Sequence, residues 1–163
     1  MTQWLPEPPC DLLDLGCGTG SLSLLAAEQG HRVTGVDFAP NMVDRARRKL
    51  AGYNAQFHLG NAASPPVAAA SYDVVLARHV LWALPDPATA LRTWVSLLRP
   101  RGRLVLVEGV WGEMSPVGIA ASRVAGLLAG LVEDARQEEL ASDARLWGKD
   151  VRDERYVVVA TVR

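Results

Sequence analysis

Cysteine is nearly absent: Cys10 and Cys17 are the only two in 163 residues, and the second lies inside a glycine-rich run. Two such residues make neither a disulfide framework nor a zinc pattern, which fits a reducing cytoplasmic setting. Long apolar runs are missing too. No stretch approaches the ~20 residues needed to cross a bilayer, and Met1 to Pro9 lacks the apolar core of a signal peptide. A membrane partner is therefore not expected. Neither sign of charge dominates: 17 Lys and Arg against 18 Asp and Glu leave a formal −1. That balance gives no reason to expect nucleic acid as a partner. Histidine is scarce. His31 and His58 are read as lying beside strands far from the ligand-binding rim, and neither is spaced for a metal, so no metal site is expected.

What remains is an ordinary globular composition, 49% apolar and 21% charged, on a length suited to one domain spanning residues 1–163. Short apolar runs alternate with amphipathic stretches, the pattern of a parallel sheet covered by helices on both faces. Leu12 to Leu15 predicts the first strand, ended by Gly16. A helix is expected from about Thr19 to Gln29 with Leu22, Leu25 and Ala26 inward, stopped by Gly30. Arg32 to Asp37 reads as a second strand. Pro40 opens a second helix that buries Met42, Val43, Ala46 and Leu50 and turns Arg45, Arg47, Arg48 and Lys49 to water. Strands are expected at Gln56–Leu59 and Tyr72–Ala77. Asp86-Pro87 caps and opens a helix with Leu91, Trp94, Val95 and Leu98 inward, which Pro100-Arg101-Gly102 ends. Arg103–Glu108 is the fifth strand and Ser115–Leu128 a helix. Strands near Val132–Glu139 and Tyr156–Val162 complete the sheet, and Trp147 is expected to anchor its loop on it. The fold class is thus α/β, a single Rossmann-like, doubly wound, mostly parallel sheet of about seven strands with the last antiparallel.

The most informative stretch is Asp14-Leu15-Gly16-Cys17-Gly18-Thr19-Gly20, between the first strand and the first helix. Glycines there let the chain turn sharply and let a ligand lie against the main chain. Amides at the following helix start favour a carboxylate or phosphate. Asp37 ends the second strand about 20 residues later, where an acid holds ribose hydroxyls. A carboxylate has only acceptors, so it takes both hydroxyl protons and repels a 2′-phosphate. The structural alternative for Asp37 is a cap on the helix at Pro40.

These pieces, with Val36-Asp37-Phe38-Ala39-Pro40-Asn41-Met42, Tyr72-Asp73-Val74-Val75 and Leu97-Leu98-Arg99-Pro100-Arg101-Gly102-Arg103-Leu104, stand in order over roughly the first two thirds of the chain. In this the sequence resembles the class I S-adenosylmethionine-dependent methyltransferases of the small-molecule type. The resemblance implies S-adenosylmethionine as cofactor and a small-molecule methyl acceptor as partner. It implies that Gly16, Cys17, Gly18 and Gly20 pass close to the methionyl part and that Asp14 orients the ammonium through water. By the same resemblance Asp37 binds the ribose, Phe38 and Met42 cover the adenine faces, and Asn61-Ala62 read the adenine edge. The backbone of Ala77 would lie near the ammonium. Three positions depart from the pattern. Asn61 replaces an aspartate and accepts without charge assistance. Ala39 lacks a capping hydroxyl, and Arg101 replaces a frequent glycine.

Methyl transfer attacks a carbon already activated by sulfonium, so the protein mainly orients and excludes water, and no fixed catalytic constellation is expected. Arg78, His79 and Trp82 follow the fourth strand at the rim where ligands bind in this fold. His79 is the candidate general base, because an imidazole is poised near neutral pH. The alternative is a histidine bound to the loop backbone. Glu108 and Trp111 are further candidates for the substrate wall, or structural residues. Met1 to Cys10 can hardly form a lid. The options are an open site, a lid from a second subunit in a homodimer, or a chain whose start has been lost, with Gly109–Gly130 placed to cover part of the site.

A nicotinamide-dependent oxidoreductase is disfavoured by Ser21, where its fingerprint wants glycine or alanine. A nucleic-acid methyltransferase would carry Asn/Asp-Pro-Pro-Tyr/Phe where Ala77-Arg78-His79-Val80 stands. The alternative from another class is a non-catalytic S-adenosylmethionine-binding or regulatory protein with the same fold.

Overall fold

Branched and leucine-rich strands buried on both faces need a layer of helices on each side, and the chain supplies both. The computed structural model describes residues 2–112, 115–142, 151 and 153–163, so Trp147 lies outside the described residues. The elements run β1 (Asp11–Leu15), α1 (Ser21–Glu28), β2 (Arg32–Asp37), α2 (Pro40–Lys49), β3 (Ala55–Leu59) and β4 (Tyr72–Arg78). They continue with α3 (Pro87–Leu97), β5 (Leu98–Trp111), β6 (Val117–Gly118), α4 (Ala121–Leu128), β7 (Asp134–Glu139) and β8 (Glu154–Thr161). A short 3₁₀ helix, Leu81–Ala83, sits between β4 and α3.

The sheet order is β3-β2-β1-β4-β5-β8-β7, with β6 paired to β5. Strands β1 to β5 are parallel, and β8 runs antiparallel between β5 and β7. The chain moves outward from β1 to β3 and then returns to the other side of β1 as β4. The carboxyl ends of β1 and β4 therefore flank the crevice where such sheets bind ligands.

Side chains alternate between two cores. Leu13, Leu15, Val75, Ala77, Leu104 and Leu106 face α3 and α4, which contribute Leu91, Trp94, Val124 and Leu128. Leu12, Val74, Leu76, Val105 and Val107 face α1 and α2, which contribute Ala26, Val43 and Ala46. The period of two along each strand puts Asp14 on the α1 side and Glu108 on the α3 side.

Several boundaries depart from the sequence reading. Helix α1 buries Ser23, Ala26 and Ala27, while Leu25 is 46% exposed; small residues at that spacing let the helix lie close on the sheet. Helix α3 stops at Leu97, because Leu98 already belongs to β5 and pairs with Tyr72 of β4. The helix expected over Ser115–Leu128 exists only from Ala121. Pro116 disfavours helix in the residue before it, and Gly118, at φ +133°, pairs with Val110 of β5 instead. His58 is not remote from the rim: it pairs in register with Val36, one residue short of the carboxyl end of β3. His31 is buried at the opposite end of the sheet, its Nδ1 2.9 Å from Cys10 Sγ. The edge strand β7 is exposed throughout and carries four charges among its six residues, which discourages pairing with another chain. Among the described residues, no helix is long and apolar enough to cross a membrane, and no group of three or more His, Cys, Asp or Glu is placed to hold a metal.

Candidate active site

The turn after β1 is bound to β2 before any ligand arrives. Gly16 N and Cys17 N both donate to Val36 O, at 2.8 and 3.1 Å, and Gly20 N donates to Cys17 O at 2.9 Å. Gly18 N donates to Asp37 Oδ2 at 2.8 Å, while Ala39 N donates to Asp37 Oδ1 at 2.9 Å. Asp37 thus latches the glycine loop to the start of α2 and supplies part of the support that Ala39, which has no capping side chain, cannot. Gly16 needs its missing Cβ twice over: its φ is +66°, and a Cβ there would run into Val80 Cγ2. Gly18 has φ +54° but open space within 4 Å, so its surroundings are free for a ligand.

Beneath the loop lies Asp14, 2% exposed, whose Oδ2 accepts from Ser23 Oγ of α1 at 2.6 Å. Burial pushes its carboxyl up to about 6, against the pull of the Ser23 hydrogen bonds. Cys17 is buried beside it and its thiol is likewise held well above the usual range by burial, so it stays protonated and unreactive.

Two cavities meet at the carboxyl ends of β1 and β4. One, of about 290 Å³, is lined by Asp14, Gly16, Cys17, Gly18, Ser21 and Leu22 together with Arg78 and His79. The other, of about 550 Å³, lies among Asp37, Phe38, Asn61, Ala62, Val80 and Leu84, and it too is bordered by Gly16, Arg78 and His79. Those three shared residues form the junction. Phe38 is 81% exposed beside the larger cavity. Asn61 spends its Oδ1 on Ala63 N at 2.9 Å, and Ala62 O accepts from Trp94 Nε1 at 2.7 Å, which fixes this wall to α3.

The rim after β4 is built around a left-handed residue. His79 has φ +56°, and its N–H donates to Val107 O at 2.9 Å. Its ring meets Trp111 edge-on at 4.7 Å, and Trp111 meets Trp82 at 5.8 Å. Trp82 Nε1 returns a hydrogen bond to His79 O at 3.1 Å, and the Arg155 guanidinium lies 5.5 Å from the Trp111 ring centre. Burial, reinforced by Arg78 and Arg155, lowers the imidazole to about 4. The ring is therefore neutral at pH 7 and a weak base, not the poised base its residue type suggests. Glu108, 1% exposed, points behind this rim: its Oε1 accepts from Val80 N at 2.9 Å and Leu81 N at 2.7 Å.

Of the positions singled out in the sequence, Asp14, Gly16, Cys17, Gly18, Asp37, Phe38, Asn61, Ala62, Arg78 and His79 border the two cavities. Gly20, Met42 and Ala77 border neither. Gly20 caps α1 in a left-handed conformation, Met42 is half-buried in the first turn of α2, and Ala77 is buried between Leu15 and Leu106. Trp82, Glu108 and Trp111 also stand back from the linings. Sequence reasoning missed Ser23, Val80 and Arg155. Ser23 is a polar residue on the buried side of α1, a signal that was available; Val80 and Arg155 carry none.

The family model described as Methyltransferase domain matches residues 13–106. The chain belongs to that family. The match begins one residue before Asp14 and stops two before Glu108, so it takes in the loop, Asp37 and the Arg78–His79 rim. The chain is 38% identical over 139 residues to the nocamycin O-methyltransferase of Saccharothrix syringae, covering 80% of this chain and 47% of that protein. It is 34% identical over 120 residues to the malonyl-[acyl-carrier protein] O-methyltransferase of Serratia marcescens, covering 74% and 46%. This chain therefore spans about half the length of the curated relatives it matches. A SAM-dependent methyltransferase from Methanosarcina mazei superposes with a TM-score of 0.77 over 99% of this chain and 95% of that one. At 22% identity that likeness shows the fold alone.

Proposed function

We propose that this domain binds S-adenosylmethionine across the paired cavities and directs its methyl group to a small molecule. The observation that carries the reading is the placement of Asp14 and Asp37 at either side of one glycine loop whose three glycine amides are already used. With the Gly16, Cys17, Gly18 and Gly20 N–H groups bonded inside the protein, these four amides are not open to a pyrophosphate, and Asp14 in the smaller cavity repels one. A ligand carrying an ammonium at one end and ribose hydroxyls at the other suits the two carboxylates. The family membership supports the same reading.

Each residue has a part that follows from its surroundings. Asp14, raised by burial, gains most from a cation. Asp37 keeps spare lone pairs for hydroxyl donors while holding two amides. Phe38 has no protein neighbour over most of its ring, and covering a flat heterocycle, with Met42 on α2, would bury it. When bound, S-adenosylmethionine supplies a methyl carbon activated by sulfonium. Arg78 and His79, at the junction, orient the acceptor and exclude water. A neutral His79 removes protons poorly, so an acceptor that is already ionised fits best, with Arg78 as its counter-charge. The two relatives above are O-methyltransferases by name, which makes an acidic oxygen the first acceptor to test.

Calorimetry with S-adenosylhomocysteine tests this reading. The wild type should bind, and Asp37→Ala should weaken binding by about 2–3 kcal/mol as a charge-assisted pair is lost. A folded wild type that shows no binding at millimolar ligand, or an Asp37→Ala variant with unchanged affinity, contradicts it.

A further inference from the structure

Glu108 is an unusual residue to bury. It stands near the end of β5 at 1% exposure, on the face that otherwise packs leucine and valine against α3 and α4. Its Oε2 has no hydrogen-bond partner among the described residues. An apolar residue of the same volume would fill this place without the cost of removing a carboxyl from water. What the carboxyl does is concentrated in one atom. Oε1 takes both Val80 N and Leu81 N, amides at the entry of the Leu81–Ala83 helix that have no helical partner of their own.

Those amides belong to a segment that needs holding. His79 sits in the left-handed region, which costs a non-glycine residue about 1–2 kcal/mol, and its own N–H is tied to Val107 O just before the Glu108 contact. One residue further on, the Val80 side chain fills the space that the missing Gly16 Cβ leaves. Gly16 and His79 in turn border both cavities. A continuous line of contacts thus runs from Glu108 Oε1 through the Val80 backbone and side chain to the glycine loop.

We propose that Glu108 is a positioning residue: through Val80 and Leu81 it seats the Arg78–Leu81 segment on the glycine loop and so sets the shape of the cofactor cleft. Burial raises its carboxyl to about 7, against the pull of the backbone amides it accepts from. The inference rests on the proposed function for its ligand, but the seating itself belongs to the protein alone.

The test compares Glu108→Met, which fills the space without an acceptor, and Glu108→Gln, which restores one, with the wild type. Each is measured by melting temperature, by amide NMR shifts of Gly16, Cys17 and Gly18 without ligand, and by S-adenosylhomocysteine affinity. Glu108→Met leaves the Val80 and Leu81 amides without an acceptor and should melt lower than the wild type, shift the glycine-loop amides and weaken binding at least tenfold, and Glu108→Gln should bring back all three signals. Loop shifts and affinity in Glu108→Met that match the wild type overturn the proposal and leave Glu108 a cap alone. If Glu108→Met does not fold, Glu108→Gln and Glu108→Asp decide. The shorter carboxylate cannot reach both amides, so wild-type loop shifts in Glu108→Asp overturn the proposal as well. A wild type that binds nothing defeats the proposed function, while the loop shifts still decide the role of Glu108.

Discussion

Asp14 should make stability depend on pH in a way that one substitution can isolate. In the unfolded chain its carboxyl has the ordinary value of 3.8; in the fold burial raises it to about 6. The folded state therefore prefers the protonated acid. The penalty for burying the charge is absent below the unfolded value and complete above the folded one, so this contribution to stability is lost as pH rises through about 6. That difference corresponds to about 3 kcal/mol. Asp14→Asn keeps the shape and an acceptor for the Ser23 hydroxyl but never ionises. Denaturant unfolding of both proteins from pH 4 to pH 8 should show the variant gaining about 2–3 kcal/mol on the wild type across that range, most of it between pH 4 and 6. An offset that stays constant with pH refutes the account of Asp14 as a buried acid strained by desolvation. The same pair tests its ligand. An ammonium placed in the Asp14 cavity favours the ionised form, so S-adenosylhomocysteine should bind the wild type more tightly at pH 7 than at pH 5. Asp14→Asn should bind more weakly, with an affinity flat in pH.

Two further outcomes follow from backbone geometry. Gly16→Ala combines a left-handed backbone with a collision against Val80, whereas Gly18→Ala meets only the backbone cost; in chemical denaturation the first should lose about 3 kcal/mol or more and the second about 1–2, and equal losses would remove Val80 from the loop's support. Arg101 adopts φ +64° in the turn into β5, and its pairing with Glu133 spans 3.8 Å between side chains 78% and 52% exposed. Arg101→Gly should therefore raise stability by up to about 1 kcal/mol in the same assay, and a clear loss would show that the ion pair outweighs the backbone strain.

Legibility followed the range of the forces involved. The parallel core from β1 to β4 was readable because strand alternation, glycine punctuation and Pro40 as a first helical residue act within a few neighbours. Beyond β5 the reading weakened. A helix over Ser115–Leu128 satisfied local periodicity, but the segment before Ala121 instead gives Val117–Gly118 to the edge of β5, a pairing that only the completed sheet offers. Leu25 failed likewise, because which side of α1 turns inward depends on how closely that helix sits on β1 and β2, not on its own pattern.

By itself the sequence determined the chemistry available in the cleft: which residues carry carboxylates, where glycine frees the backbone, and that an arginine and a histidine follow β4. Tertiary structure alone decided what those groups are worth. It brought β1 beside β4, so that Asp14 lost its water and His79 became a weak base between Trp111 and two arginines. It also placed Glu108 against the amides of Val80 and Leu81, 28 and 27 residues away in sequence. Desolvation and long-range hydrogen bonds depend on neighbours remote in the chain, and no local pattern of residues records them.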